Sequence, residues 1–186
     1  MQQDKGFTLI ELLVVIAIVA ILSVVVILTL NPAELLRQAR DSNRTADMAT
    51  LKSAISLFLA DGQTVLATDY ETCYMTAATT NCDTYFPSTN YDATSTATSQ
   101  AVNGTGWIPV DFSDISSGSP IGNLPIDPIN NATYFYGYAA SSTNSVFKVV
   151  ANMESSRYAN GGADDVESGD GGSAAALYEV GTNLSL

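Results

Sequence analysis

The sequence predicts an α+β protein in which a long N-terminal helix packs on a small antiparallel sheet of about three strands. An apolar run, Phe7–Leu30, is followed by an amphipathic helical pattern, and alternating strand patterns appear near the C-terminal end. These patterns divide the chain into a polar leader (1–6), an apolar helix (7–31), an amphipathic helix (32–61), a Thr/Ser-rich loop region (62–132) and a C-terminal sheet with an acidic Gly-rich loop (133–186).

The apolar run is long enough to cross a membrane. A helix rises about 1.5 Å per residue, so Phe7–Leu30 would extend about 36 Å, against a hydrocarbon core of about 30 Å. Lys5 lies just before the run, which favours a cytoplasmic N-terminus. An ordinary signal peptide has a shorter apolar core and a small-residue cleavage site after it, and neither is present here. The run therefore predicts a single membrane-spanning helix.

The start of this helix carries a specific motif, Gly-Phe-Thr-Leu-Ile-Glu at positions 6–11. With the apolar residues after it, the motif resembles the class III leader and N-terminal helix of type IV pilins and type II secretion pseudopilins. The resemblance implies that a prepilin peptidase cleaves after Gly6 and methylates the new amine on Phe7. It also assigns Glu11 to the glutamate of that family.

Glu11 is the one charge in the apolar run, and a carboxylate there requires a partner. Residues four apart share a helix face, so Glu11 is expected to approach the amine that cleavage creates on Phe7 of its own chain. In a staggered bundle it would instead reach the amine of a neighbouring subunit and so set the register. The remaining alternative is that Glu11 extends to the membrane interface.

Asn31 and Pro32 follow the apolar run, and a proline removes a helical donor and clashes with the preceding turn. The sequence therefore predicts a kink or melted segment over Leu28–Pro32. The alternative is a simple boundary, with Asn31 as N-cap and Pro32 at the first helical position. The resemblance implies an assembly role for Pro32, because these subunits lose helix around a proline in this region when they pack into a filament.

An amphipathic helix is predicted over Ala33–Ala60, ended by Asp61-Gly62. Its apolar stripe comprises Met48, Leu51, Ile55, Phe58 and Leu59. The charged residues predicted to lie off the stripe are Arg37, Arg40, Asp41, Arg44 and Asp47. The basic patch at Arg37–Arg44 is expected either to face acidic neighbours in an assembly or to be a solvated helix face.

The loop region shows no sustained periodicity, and Cys73 and Cys82 lie nine positions apart within it. In an exported chain this spacing favours a disulfide, with two free thiols as the alternative. A short strand or docking segment is expected at Trp107–Asp114.

Strands are predicted over Thr133–Ala140, Ser145–Met153 and Ala175–Val180. In the second of these, Phe147, Val149, Ala151 and Met153 should face the long helix. The preceding Leu124–Asn130 resembles the Leu-Pro-x-Asp-Pro-x-Asn segment of pilins and major pseudopilins.

Charge and composition exclude several functions. The net charge is -12, and fourteen of the nineteen acidic residues lie from Asp61 onward with two basic ones. Such a region repels phosphates, so we expect no nucleic acid bound by the acidic head. The chain has no histidine, the commonest general base, and no nucleophile–base set is visible. We therefore expect a protein that is not an enzyme.

One segment is a candidate metal site. Tyr158–Ser173 places acidic and amide oxygens among glycines, which suits Ca²⁺. The candidate ligands are Asp164, Asp165, Glu167 and Asp170, with Asn160 beside them. The alternative is a solvated acidic loop. The segment is similar in position and composition to the calcium loop of major pseudopilins.

The resemblance implies a structural subunit, in first place a major pilin that polymerises into a type IV pilus-like extracellular filament. Its partners would be identical subunits, the prepilin peptidase and the inner-membrane assembly platform, with the membrane holding the subunit before assembly. The alternative within this class is a major pseudopilin of a type II secretion system, which the acidic Gly-rich loop favours. A further alternative is a monomeric membrane-anchored binding or adhesin domain.

Overall fold

The computed structural model describes residues 6–69, 72–77, 85–86, 91, 93–141 and 145–186. The chain forms two compact units, one ending at Leu36 and one comprising Arg37–Leu186, which we call the head. Two α-helices, one short 3₁₀ helix and five strands are present in the described residues. The predicted α+β class is confirmed.

Helix α1 comprises Leu9–Leu30 and helix α2 comprises Pro32–Ala60. Asn31 lies between them in the left-handed region, at φ 39°. Its carbonyl accepts hydrogen bonds from the backbone N–H groups of Glu34 and Leu35, and Pro32 occupies the first position of α2. The structure thus has a helix boundary at Asn31, and loss of helix on assembly stays a prediction.

Helix α2 packs its apolar stripe into the core of the head. The predicted members Met48, Leu51, Ile55 and Phe58 are buried, and Leu59 is partly buried against the same core. Gly62, at φ +89°, follows the helix and supplies the left-handed conformation that commonly ends one.

The sheet has five strands in the order β2-β1-β3-β4-β5. Their bounds are β1 Thr72–Met75, β2 Ala93–Thr96, β3 Tyr136–Ser141, β4 Val146–Ala151 and β5 Tyr178–Gly181. The three predicted strands are β3, β4 and β5, which pair antiparallel. The prediction of about three antiparallel strands is corrected by β1 and β2, because β1 pairs antiparallel with β3 and parallel with β2.

Strands β1 and β2 lie in the region that the sequence predicted as loop. All four residues of β1 are buried, so it shows no alternation of apolar and polar residues. Strand β2 has the sequence Ala-Thr-Ser-Thr, a low-complexity composition that gives no strand pattern. The segment Trp107–Asp114 docks on the core rather than forming a strand: the Trp107 indole donates to the Pro125 carbonyl at 2.9 Å, and Phe112–Asp114 is a 3₁₀ turn.

The two faces of β4 bury different residues. Phe147, Val149 and Ala151 join the core that α2 covers, as predicted. Val150 lies on the opposite face, in a second core with Cys73. The sheet is therefore covered on both faces.

Candidate assembly site

Gly6 and Phe7, which precede α1, are accessible from outside the chain. A Cβ at Gly6 would meet no atom within 4 Å, and the Phe7 side chain is 85% exposed. The peptide bond between them lies outside regular secondary structure, two residues before the start of α1. Its geometry suits cleavage by a peptidase.

Glu11 is held by Thr8 in this chain. The Thr8 N–H and hydroxyl donate to Glu11 Oε2 at 2.8 and 2.7 Å, and the Glu11 N–H donates back to the Thr8 hydroxyl at 3.3 Å. This is a capping box, which satisfies the first donors of α1. Thr-x-x-Glu spacing signals such a box, and the sequence reasoning missed it. Pairing of Glu11 with a Phe7 amine stays a prediction.

The surface of α1 is apolar and has no covering within its own unit. The large hydrophobic side chains of α1 that the structure describes are substantially exposed, from Val14 at 48% to Leu9 at 82%. The hydroxyls of Ser23 and Thr29 donate to carbonyls one turn earlier, so they add no unsatisfied polar group. Among the described residues, α1 is the one helix whose length and composition allow it to cross a membrane.

An accessible Gly6–Phe7 peptide bond before an exposed apolar helix is the arrangement expected of a protein that is anchored in a membrane and processed near its N-terminus. Residues 1–27 match the family model described as the prokaryotic N-terminal methylation motif. Residues 1–27 thus carry a class III prepilin leader, the N-terminal feature that type IV pilins and pseudopilins share. Comparison with curated proteins and with solved structures gives no match.

Two charged residues of α2 lie in the interior of the head. The side chains of Asp41 and Arg44 are fully buried, so the prediction that they lie off the apolar stripe was wrong. Positions 41, 44, 48, 51, 55 and 58 continue one three-and-four spacing, and extending the stripe toward the N-terminus would have found them.

Arg44 ties α2 to the segment Leu124–Asn130. Its Nε and Nη2 donate to the two oxygens of Asp127 at 2.6 and 3.0 Å, and its Nη1 donates to Asp41 Oδ1 at 2.7 Å. Burial alone would lower the pKa of Arg44, but Asp127 and Asp41 raise it above the ordinary value. The aspartate of this segment therefore completes a buried ion-pair network.

The basic patch on α2 is engaged within the chain. Arg40 donates two hydrogen bonds to Glu154, at 2.6 and 2.7 Å, and the half-exposed Arg37 lies 3.7 Å from the same carboxylate. The burial of Arg44 corrects the expectation that the whole patch is solvated, while Arg37 stays half-exposed and contact with acidic neighbours in an assembly stays a prediction. The hydrogen bonds from Arg40 hold the pKa of Glu154 below its usual value.

The four candidate calcium ligands are separated by their own contacts. Asp164 pairs with Arg157, and Asp165 accepts from the backbone of Gly161, Glu167 and Ser168. Glu167 is buried and accepts the N–H groups of Met153 and Asn160, while Asp170 accepts those of Gly172 and Glu179. In the described part of the chain, no three acidic, cysteine or histidine residues are placed to hold a metal ion.

These carboxylates fit the role of loop stabilisers, and their arrangement does not fit a calcium site. Burial raises the pKa of both Glu167 and Asp170, and hydrogen bonds from backbone N–H groups oppose that rise. The calcium prediction itself stays open to test. A rise in melting temperature with Ca²⁺ that EDTA reverses would support it, and no shift at millimolar Ca²⁺ would discard it.

Replacing Asp165 with asparagine should lower the melting temperature at neutral pH and much less at low pH. Hydrogen bonds from Ser168 and from neighbouring backbone groups lower the pKa of Asp165 from 3.8 to about 2. The carboxylate thus stabilises the fold above about pH 4, and this contribution is lost as the pH falls toward 2. Thermal melts of both proteins from pH 7 to pH 2 should show the difference shrinking below pH 4; a difference that stays constant contradicts the assignment.

The predicted disulfide falls partly outside the described residues. Cys73 is buried in β1, and Cys82 lies outside the part of the chain that the structure describes. The Cys73–Cys82 bond therefore stays a prediction.

Proposed function

We propose that the chain is a structural subunit, a major pilin, that polymerises through α1 into a type IV pilus-like extracellular filament. Cleavage after Gly6 by a prepilin peptidase precedes assembly. The observation that supports the proposal best is that α1 follows a class III leader and exposes its apolar side chains wherever the structure describes them. Such a helix requires lipid or other helices around it.

The proposed life of the subunit has two stages. Before assembly, α1 spans the cytoplasmic membrane, where its apolar surface faces lipid. An assembly platform in that membrane then transfers the subunit to the filament, where identical subunits replace the lipid around α1. Cleavage supplies the amine of Phe7 as a cationic partner for Glu11, which lowers the cost of a charge among apolar helices.

The head serves as the displayed part of the filament in this proposal. Its acidic residues from Asp61 onward disfavour nucleic acid. We propose no catalytic role, because the chain has no histidine and the buried carboxylates of Asp127 and Glu167 are held by Arg44 and by backbone N–H groups. The Cys73–Cys82 disulfide would strengthen the head outside the cell.

The proposal is tested by imaging sheared surface material from cells that express the chain or its Gly6→Leu variant. We expect filaments from the unmodified chain and none from the variant, because an uncleaved leader leaves no amine on Phe7. Gly122→Leu is the matched control, since Gly122 is exposed and a Cβ there would meet no atom within 4 Å. Filaments from the Gly6 variant, or none from the unmodified chain, would contradict the proposal.

The second candidate is a major pseudopilin of a type II secretion system, favoured by the acidic Gly-rich loop at Tyr158–Ser173. Deleting the gene separates the two: loss of secreted enzymes without loss of surface filaments supports the pseudopilin. A monomeric membrane-anchored binding domain would be supported if the chain kept its leader, formed no filament and was not needed for secretion.

A further inference from the structure

One glutamate, Glu154, forms ion pairs with three arginines of α2. Glu154 follows β4, and its carboxylate accepts hydrogen bonds from Arg40 at 2.6 and 2.7 Å. The same carboxylate lies 3.5 Å from Arg44 Nη1 and 3.7 Å from Arg37 Nε. The side chain of Glu154 is only 10% exposed, so water competes weakly for these contacts.

A second set of contacts joins the same two segments through Asp41 of α2. The backbone N–H groups of Glu154 and Ser155 donate to the two oxygens of Asp41 at 2.9 and 2.7 Å. A side chain of α2 thus holds the segment after β4, and a side chain of that segment holds α2. We call this set, Arg40, Asp41, Glu154 and Ser155, the reciprocal clamp.

The reciprocal clamp lies where α2 enters the head. Arg37 is the first residue of the head, and the side chains of Leu35 and Leu36 just before it are 51% and 61% exposed. The apolar stripe of α2 begins to be buried only at Met48. Polar contacts, rather than apolar burial, therefore hold the turns of α2 from Arg37 to Arg44.

We propose that Glu154 is a positioning residue for filament assembly, which fixes the Arg37–Arg44 turns of α2 to the head. The inference rests on the proposed function, because polymerisation through α1 reaches the head only along α2. Subunits whose α2 frays at these turns would enter the filament in more than one conformation. A helical filament repeats one conformation, so fraying there lowers its yield.

The test uses the full-length Glu154→Gln variant in membranes, with two measurements. Trypsin cleaves after Arg37 and Arg40 only when the helix opens locally, so we expect cleavage there to accelerate by about tenfold. Filament yield should fall while the melting temperature of the head changes little, because Arg44 keeps Asp127 and Asp41. If Glu154→Gln fails to fold, Arg40→Gln is used instead, because it removes the same hydrogen bonds. Its local opening is then measured by the rate of trypsin cleavage after Arg37, since position 40 is no longer a trypsin site.

Asp114→Asn is the matched control, since it makes the same carboxylate-to-amide change at an exposed side chain outside the clamp and should alter neither measurement. Unchanged cleavage in both clamp variants would overturn the clamp. Faster cleavage with normal filament yield would overturn the positioning role and leave the proposed function standing. Absence of filaments from the unmodified chain would overturn both, whatever the cleavage rate.

Discussion

Replacing Arg44 with methionine is expected to destabilise the head by about 3–5 kcal/mol. Methionine fills much of the space, but Asp41 and Asp127 then remain buried without their cation. Their remaining partners are backbone N–H groups of residues 129, 130, 154 and 155, which do not neutralise two carboxylates. Urea unfolding of the full chain in detergent micelles, followed by the fluorescence of the buried Trp107, measures the loss.

Arg157→Met provides the matched control for Arg44→Met. Arg157 also pairs with an aspartate, Asp164, but both side chains are about half exposed. Exposed pairs contribute at most about 1 kcal/mol, so this variant should unfold at nearly the unmodified urea concentration. Equal destabilisation by the two substitutions would contradict the assignment of Arg44 to a buried network.

Glu11→Ala is expected to reduce filament yield by about tenfold or more while the subunit still enters the membrane. Removal of the carboxylate makes α1 more apolar, so insertion is unaffected. The Phe7 amine of a processed subunit would then lack its anionic partner among apolar helices. A loss of about 1.4 kcal/mol per contact lowers the association constant of two subunits tenfold. Membrane fractionation and quantification of sheared filaments measure the two effects.

Thr8→Ala separates the two roles of Glu11. Thr8 supplies the hydroxyl of the capping box, so its loss weakens the start of α1 but keeps the carboxylate for the amine. We expect this variant to retain most of the filament yield. If Thr8→Ala and Glu11→Ala reduced the yield equally, the capping box would explain both, and normal yield from Glu11→Ala would remove the pairing role.

The helices could be predicted because their signals are local and long. Phe7–Leu30 is apolar over more than six turns, and Pro32 and Gly62 carry backbone preferences that mark where α2 begins and ends. The signal for the predicted processing residues Gly6 and Phe7 and the predicted assembly residue Glu11 is equally local, since the three belong to one short motif. Strands β3 and β4 were predicted from alternation, which arises when the two faces of a strand meet different surroundings.

The two strands and the buried charges that the sequence did not predict depend on contacts between residues far apart in the chain. Strand β1 is buried on both faces by segments that no local pattern connects to it. Asp41 and Arg44 looked solvated because charged residues are rarely buried, and their burial depends on Asp127, 83 positions after Arg44. Lys148 is a further buried charge of this kind. The sequence placed it on the face of β4 opposite the long helix, but did not predict its buried ion pair with Glu179 on β5.

Cleavage after Gly6 is proposed to turn this chain into a filament subunit. The most direct measurement is the intact mass of the protein recovered from sheared surface filaments. We predict a chain that begins at Phe7 and carries one added methyl group on its N-terminal amine. A chain that retains Met1–Gly6 and is found only in the membrane fraction would contradict the account.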